Sequence, residues 1–222
     1  METEARPTPS RVRITGRAIN GAVARAPWLW PVLRPAMRRF FDAAAPEWDE
    51  RTRAGSVDHL AALAAAAASV TPAPERVLDL GTGTGEAALF LAREFPRANV
   101  RGVDVSEKMI AAARAKVGLD PEGRIAFRVA DAGALPFGEE SFDLITQLNV
   151  PPFFAEIARV LRPGGTVLIA ASWGVETPFY TPPAVLERGF RRHGIEPAGA
   201  GEAGPGSWWS GRRLAETSGR SL

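Results

Sequence analysis

Val77-Leu78-Asp79-Leu80-Gly81-Thr82-Gly83-Thr84-Gly85-Glu86 decides how this chain folds. Residues 77–80 read as a short buried strand. Three glycines at alternate positions then turn the chain, and Glu86 opens an alanine- and leucine-rich helix that runs to about Glu94. Glycine is required because such a turn needs unusual dihedrals and because a ligand must approach bare backbone. The helix N-terminus behind the turn offers unpaired N–H groups. Together these make the front end of a nucleotide-type site at the carboxyl edge of an open α/β sheet.

The spacing narrows the ligand. A dinucleotide site needs G-x-G-x-x-G. Here the glycines fall as G-x-G-x-G, and Glu86 stands where the third dinucleotide glycine would be. A carboxylate there sits badly against a pyrophosphate. No G-K-[ST] follows, so the stretch is not a P-loop. The remaining common ligand of this architecture is S-adenosylmethionine, which has no phosphate. About twenty residues past the glycines, a second predicted strand, Asn99–Val103, ends in Asp104. An acid at that distance can accept both hydroxyls of a ribose. Charge-assisted hydrogen bonds of this kind are worth about 1.5–3 kcal/mol each.

On these residues, and on those that follow in order, the segment from Arg76 to Ala171 resembles a class I (Rossmann-like) S-adenosylmethionine-dependent methyltransferase. The nearest group is the broad one of quinone-biosynthesis and small-molecule methyltransferases. The resemblance implies a role for each matching position. Asp79 would help hold the methionine end of the cofactor, and Gly81, Gly83 and Gly85 would shape its cradle. Asp104 would take the ribose and Val105 the adenine face. After a third strand, Ile125–Val129, Asp131 and the backbone of Ala132 would take the adenine amino group. Asn149, just past the fourth strand, lies where the transferable methyl should be. Leu135-Pro136-Phe137, Ser141-Phe142-Asp143 and Pro163-Gly164-Gly165, with the strand Thr166–Ala171 after it, fit the same pattern. Two features depart from it. Val150 separates Asn149 from Pro151-Pro152-Phe153, so the Asn-Pro-Pro-aromatic motif of nitrogen methyltransferases is not contiguous. The loop there is also short, and a usual place for a general base is empty.

The fold class expected is therefore α/β, a Rossmann-like doubly wound sheet with an N-terminal helical extension. Residues 1–70 read as a basic arm and helical cap, and residues 71–222 as the S-adenosylmethionine-binding domain. Residues 1–10 are expected to be disordered. No Asp or Glu occurs between Glu4 and Asp42, whereas eight arginines do, interleaved with Trp28, Trp30, Phe40 and Phe41. Pro27, Pro31 and Pro35 predict short helices there. One reading makes this arm a cap that packs its tryptophans on the core. Others are a peripheral membrane or lipid contact and an arm on RNA. Residues 46–69 read as helix broken near Gly55, with Trp48 a candidate lid aromatic. The formal charge of +2 does not point to nucleic acid. With no cysteine, thiol nucleophiles and thiolate metal sites are excluded. No metal site is expected. No signal-peptide pattern or membrane-length apolar run is seen, and a cytoplasmic location is expected.

Past Ala171 the resemblance thins. Trp173, Phe179 and Tyr180 are placed to line an apolar pocket. A helix is predicted at 183–193, a loose Gly/Ala run at 197–206 and a short helix at 211–217. The two strands that should finish the sheet are missing from this reading, which leaves the fifth strand as an open edge. His59 and His193 are the only histidines, and no residue is assigned as catalytic. The function expected is methyl transfer to a small, lipophilic acceptor. The alternatives are an S-adenosylmethionine-binding protein without catalysis and a nucleic-acid methyltransferase that uses the arginine arm.

Overall fold

The structure, a computed structural model, describes residues 10–120 and 122–215. Of residues 1–10, expected to be disordered, 1–9 lie outside that range and Ser10 opens the first helix. Strands β1 (Arg76–Leu80), β2 (Asn99–Asp104), β3 (Ile125–Val129), β4 (Phe142–Leu148), β5 (Leu161–Ala171), β6 (Ile195–Ala203) and β7 (Gly206–Arg213) form one sheet. Their order is β3-β2-β1-β4-β5-β7-β6. The first five pair in parallel, and β7 runs antiparallel to both β5 and β6. The Rossmann-like α/β class read from the sequence is the class observed.

The central strands are apolar on both sides because helices cover both faces. On one face, α4 (Val57–Ala67), α5 (Glu86–Glu94) and α6 (Glu107–Lys116) share a buried cluster with Val77, Val100, Leu144 and Leu168. The other face has α7 (Phe154–Val160) and α8 (Pro183–Arg191), with Leu78, Ile145, Phe190 and Trp209 in its cluster. Among the described residues, no helix lies between β3 and β4 in the chain. That part of the second face is completed by the N-terminal arm, α1 (Ser10–Arg25) and α2 (Trp30–Ala44): Val23, Trp30 and Met37 belong to the same cluster. The Trp30 ring meets Phe153 edge-on, with centroids 5.1 Å apart. The arm therefore shares a core with the sheet.

Three expectations need correcting or sharpening. The prolines do not chop the arm into short helices, since α2 runs 15 residues with Pro31 in its first turn and Pro35 inside. A first-turn proline gives up no intrahelical bond, and Pro35 is exposed, so the one bond it forfeits lies on the outer side. The break near Gly55 is real. The short helix α3 (Trp48–Thr52) ends there, Gly55 has φ +78°, and Ser56 caps α4 by accepting the His59 N–H at 3.2 Å.

The third correction is the largest. The missing strands are present as the β6–β7 hairpin, and residues 211–213 are strand. The edges of the sheet are β3 and β6, so β5 is not open. The hairpin escapes pattern reading because β6 is Ile-Glu-Pro-Ala-Gly-Ala-Gly-Glu-Ala, almost free of strand-favouring residues. Its glycines make room for a neighbour. A Cβ on Gly199 or Gly201 would lie 3.3 or 3.1 Å from the Trp208 ring. Pro197 is tolerated because β6 is an edge strand with a register shift at Pro197/Gly199. Behind the sheet, Trp209 stacks flat on Phe190, with centroids 5.2 Å apart. The alanine run of α4 allows close approach as well, since a Cβ on Gly206 would come 2.9 Å from Ala62.

Candidate functional site

The glycine loop leaves β1 at the carboxyl edge of the sheet. Gly81, Gly83 and Gly85 all have positive φ, at +72°, +53° and +88°. The N–H groups of Gly81 and Thr82 donate to the Val103 carbonyl at 2.8 and 2.9 Å, which ties the loop to β2. Asp79 is buried below it. Its two oxygens accept the hydroxyls of Thr82 at 2.7 Å and Thr146 at 2.8 Å. Burial pushes the Asp79 carboxyl up and the two hydroxyls pull it back. Asp104 accepts the Gly83 N–H at 3.0 Å and the Ser106 N–H at 2.9 Å. Burial raises it to about 6, against the pull of those two N–H groups and with the charge of Asp79 adding to the rise. In front of Gly83 the space is open: the one group within 4 Å of a Cβ placed there is Trp48 Nε1, at 3.9 Å. Gly83, Asp104 and half-exposed Val105 thus frame a concavity beside bare backbone. A ribose with two hydroxyls and no phosphate fits this donor set, because Glu86 already occupies the helix N-terminus, paired with Lys116 at 2.7 Å.

The arm closes over this edge through carboxylates. Asp42 in α2 accepts the Ser106 hydroxyl at 2.6 Å, while Ser106 itself caps α6 by accepting the Met109 N–H at 3.1 Å. The Ser106 hydroxyl is the main reason the Asp42 carboxyl sits below its ordinary value. Asp49 in α3 accepts the Thr84 hydroxyl and pairs with Lys116. Trp48 lies between the loop and Phe41, whose ring centroid is 5.5 Å away. Asp131 also belongs to the arm in this structure. It accepts Trp30 Nε1 at 2.6 Å and the Gly133 N–H at 2.8 Å on one oxygen, and Arg34 at 2.5 Å on the other. Ala132 is half-exposed beside it.

On the far side of the loop is a pocket of about 300 Å³. Val150, Ile169, Phe179, Tyr180, Leu186 and Trp209 are among its walls. Val150 also packs on the glycine loop, since a Cβ on Gly81 would come within 2.5 Å of it. One side chain thus separates the pocket from the loop. Asn149 turns at φ +61° and is tied to β5: its amide donates to Ser172 Oγ, and its oxygen accepts the Ser172 N–H, both at 2.9 Å. Phe179 and Tyr180 line the pocket as read from the sequence, but Trp173 does not. Its backbone instead joins the Gly174–Glu176 turn through Thr177. Neither histidine lines the pocket. His59 is buried in α4, where desolvation lowers its pKa, and His193 follows α8.

Sequence reasoning thus places Asp79, the three glycines, Asp104 and Val105 on one edge. It missed Thr82 and Thr146, which hold Asp79, and Trp30, Arg34 and Lys116, which help bring the arm down. The Trp30–Asp131 contact joins residues 101 apart in sequence and leaves no local signal.

A family profile described as a methyltransferase domain matches residues 77–165. The ubiquinone/menaquinone biosynthesis C-methyltransferase of Syntrophotalea carbinolica is 37% identical over 60% of this chain and 59% of its own length. The demethylmenaquinone methyltransferase of Deinococcus radiodurans is 36% identical, again over 60% of this chain and 59% of its own. The chain thus spans about three fifths of the length of these curated relatives. Among solved structures, a putative methyltransferase of Haloferax volcanii, determined in complex with the Trm112 activator, aligns with a TM-score of 0.64 at 24% identity. That alignment covers 78% of this chain and 97% of the other. A SAM-dependent methyltransferase from Aquifex aeolicus aligns at 0.57 and 21% identity, over 72% and 93%. These last two likenesses are of fold. Read with the glycine loop and the strand-end carboxylates, the profile and the curated relatives identify residues 77–165 as a methyltransferase domain of the Rossmann-like, S-adenosylmethionine-dependent class.

Proposed function

We propose that the chain transfers a methyl group from S-adenosylmethionine to a small lipophilic acceptor held in the Val150–Phe179–Trp209 pocket. The observation that carries this reading is the shared wall: Val150 lines the pocket and packs on Gly81 of the loop. Donor and acceptor spaces therefore stand back to back. The cofactor, when bound, supplies an already activated methyl on a sulfonium. The protein's own residues then have a limited task. Asp104 accepts the ribose hydroxyls, and the Gly81–Gly85 backbone gives a close seat. Val105 and Trp48 keep water from the loop, and the pocket orients the acceptor. Alignment and exclusion of water are the main means of acceleration in such a transfer.

The pocket supports the acceptor class. Its volume is at the lower end for small-molecule sites, and its walls are mainly aliphatic and aromatic. Among the described residues, Tyr180 and Glu202 are the only titratable side chains lining it. Quinone-type rings are the first class to try, given the activities named for the curated relatives.

The test uses labelled S-adenosylmethionine and a panel of ring acceptors that includes demethylated quinols. Label should pass to an apolar acceptor, and Ala200→Trp, which fills the pocket from the edge strand β6, should lower transfer at least about tenfold while leaving cofactor binding within about twofold. Cofactor binding without transfer to any acceptor would favour the non-catalytic alternative. Label found in RNA or DNA would favour the arginine-arm alternative.

A further inference from the structure

The arm's outer side is unlike its inner side. Trp28, in the turn before α2, is 74% exposed, and Val32, four residues on, is 76% exposed. Pro35, Ala36 and Ala43 continue this exposed row at helical spacing, and Phe40 beside it is 47% exposed. The charges around the row have one sign. Arg13 and Arg34 are neutralised by Glu176 and Asp131, and Arg17 donates to the Val175 carbonyl. Arg25, Arg38 and Arg39 are exposed and form no ion pair among the described residues. Asp42, whose carboxyl feels the charge of Arg38, is already engaged by Ser106.

An apolar row beside arginines without ion pairs among the described residues limits what can cover it. A second copy of the same face would bring arginines against arginines. Nucleic acid would use the cations but has no call for Val32 and Ala36, since phosphate contacts are made by charged and polar groups. An anionic bilayer surface uses both: apolar side chains enter the boundary layer while arginines meet the headgroups. We propose that Trp28 and the outer face of α2 seat this protein on an anionic membrane surface. The inner side of the same helix carries Phe41, whose ring lies 6.4 Å from Phe179 in the pocket wall. A lipophilic acceptor leaving the bilayer would reach the pocket past one helix. That last link rests on the methyl-transfer reading, whereas the docking itself does not.

Co-sedimentation of the full chain with phosphatidylcholine vesicles, with and without phosphatidylglycerol, tests the docking. Binding should require the anionic lipid and weaken with salt. Trp28→Ala combined with Val32→Glu should lower partition about tenfold or more. Arg38→Gln and Arg39→Gln should each lower it about fivefold. Titration with S-adenosylmethionine on the same proteins shows that they are folded, because none of these residues is in the cofactor or acceptor site. The docking is overturned if the wild-type protein ignores anionic vesicles, if the Trp28/Val32 variant binds as well as wild type, or if mixed-sequence RNA outcompetes the vesicles. Vesicle binding without cofactor binding would instead sink the methyl-transfer reading and leave the docking standing.

Discussion

The β1–β2 end of the sheet and the β5–β7–β6 end are held by different means. At the first, satisfied carboxylates fix the backbone: Asp79 is held by two threonines and Asp104 by two N–H groups. At the second, apolar packing does the work, with Trp209 on Phe190 at the centre. The first end gives up stability to keep acceptors in place, as buried carboxylates do. The second supplies burial. A protein of this kind can therefore carry desolvated carboxylates at one end of the sheet because the other end supplies apolar burial.

Trp209→Ala would strike this contrast hardest. It should cost about 3–5 kcal/mol in denaturant unfolding, as for large buried aromatics elsewhere. A loss below about 1 kcal/mol would mean the hairpin is not part of the cooperative unit. Asp104→Asn should act in the opposite direction on stability. The carboxyl of Asp104 is raised to about 6 from an ordinary 3.8. Between those values the folded protein holds a proton that the unfolded chain has released, so stability falls as pH rises from about 4 to 6 and stays lowered above. The effect is on the order of 3 kcal/mol. The ligand-free Asn variant should lose that slope and melt higher than wild type at pH 7, while binding cofactor more weakly. A variant that melts lower at pH 7 and keeps the slope would contradict the role assigned to burial.

Smaller effects sharpen the account of the arm. Ser106→Ala removes both the α6 cap and the hydroxyl held by Asp42, and should cost about 1–2 kcal/mol by thermal melting. Trp30→Phe keeps the ring against Phe153 but takes away one donor to Asp131. It should cost about 1 kcal/mol and raise amide exchange in α2 more than in β1. Equal exchange in both would mean that the Trp30–Asp131 bond does not fasten the arm.

The same contrast explains what could be read in advance. The first end was legible because its information is local: the alternate glycines, Asp104 about twenty residues on, and Ser106 before a helix all lie within one strand-turn-helix unit. Gly55 as a break was legible for the same reason. The β6–β7 hairpin was not, because its strand character comes from Trp208 lying over Gly199 and Gly201 rather than from the residues of β6. Pro35 misled because proline is costly in a helix only where the lost bond or the clash cannot be relieved. The clasp of Asp131 by Trp30 and Arg34 depends on where the arm lands, which no periodicity records.

The central claim is that the carboxyl edge of β1 and β2 seats S-adenosylmethionine. Calorimetric titration with S-adenosylmethionine and S-adenosylhomocysteine, with NADH as control and Asp104→Ala alongside, tests it most directly. The account predicts binding of both methyl-cycle ligands, none of NADH, and at least about a tenfold loss in the variant, equivalent to ~1.4 kcal/mol. Folded protein that binds neither ligand, or a variant that binds as tightly as wild type, would contradict it.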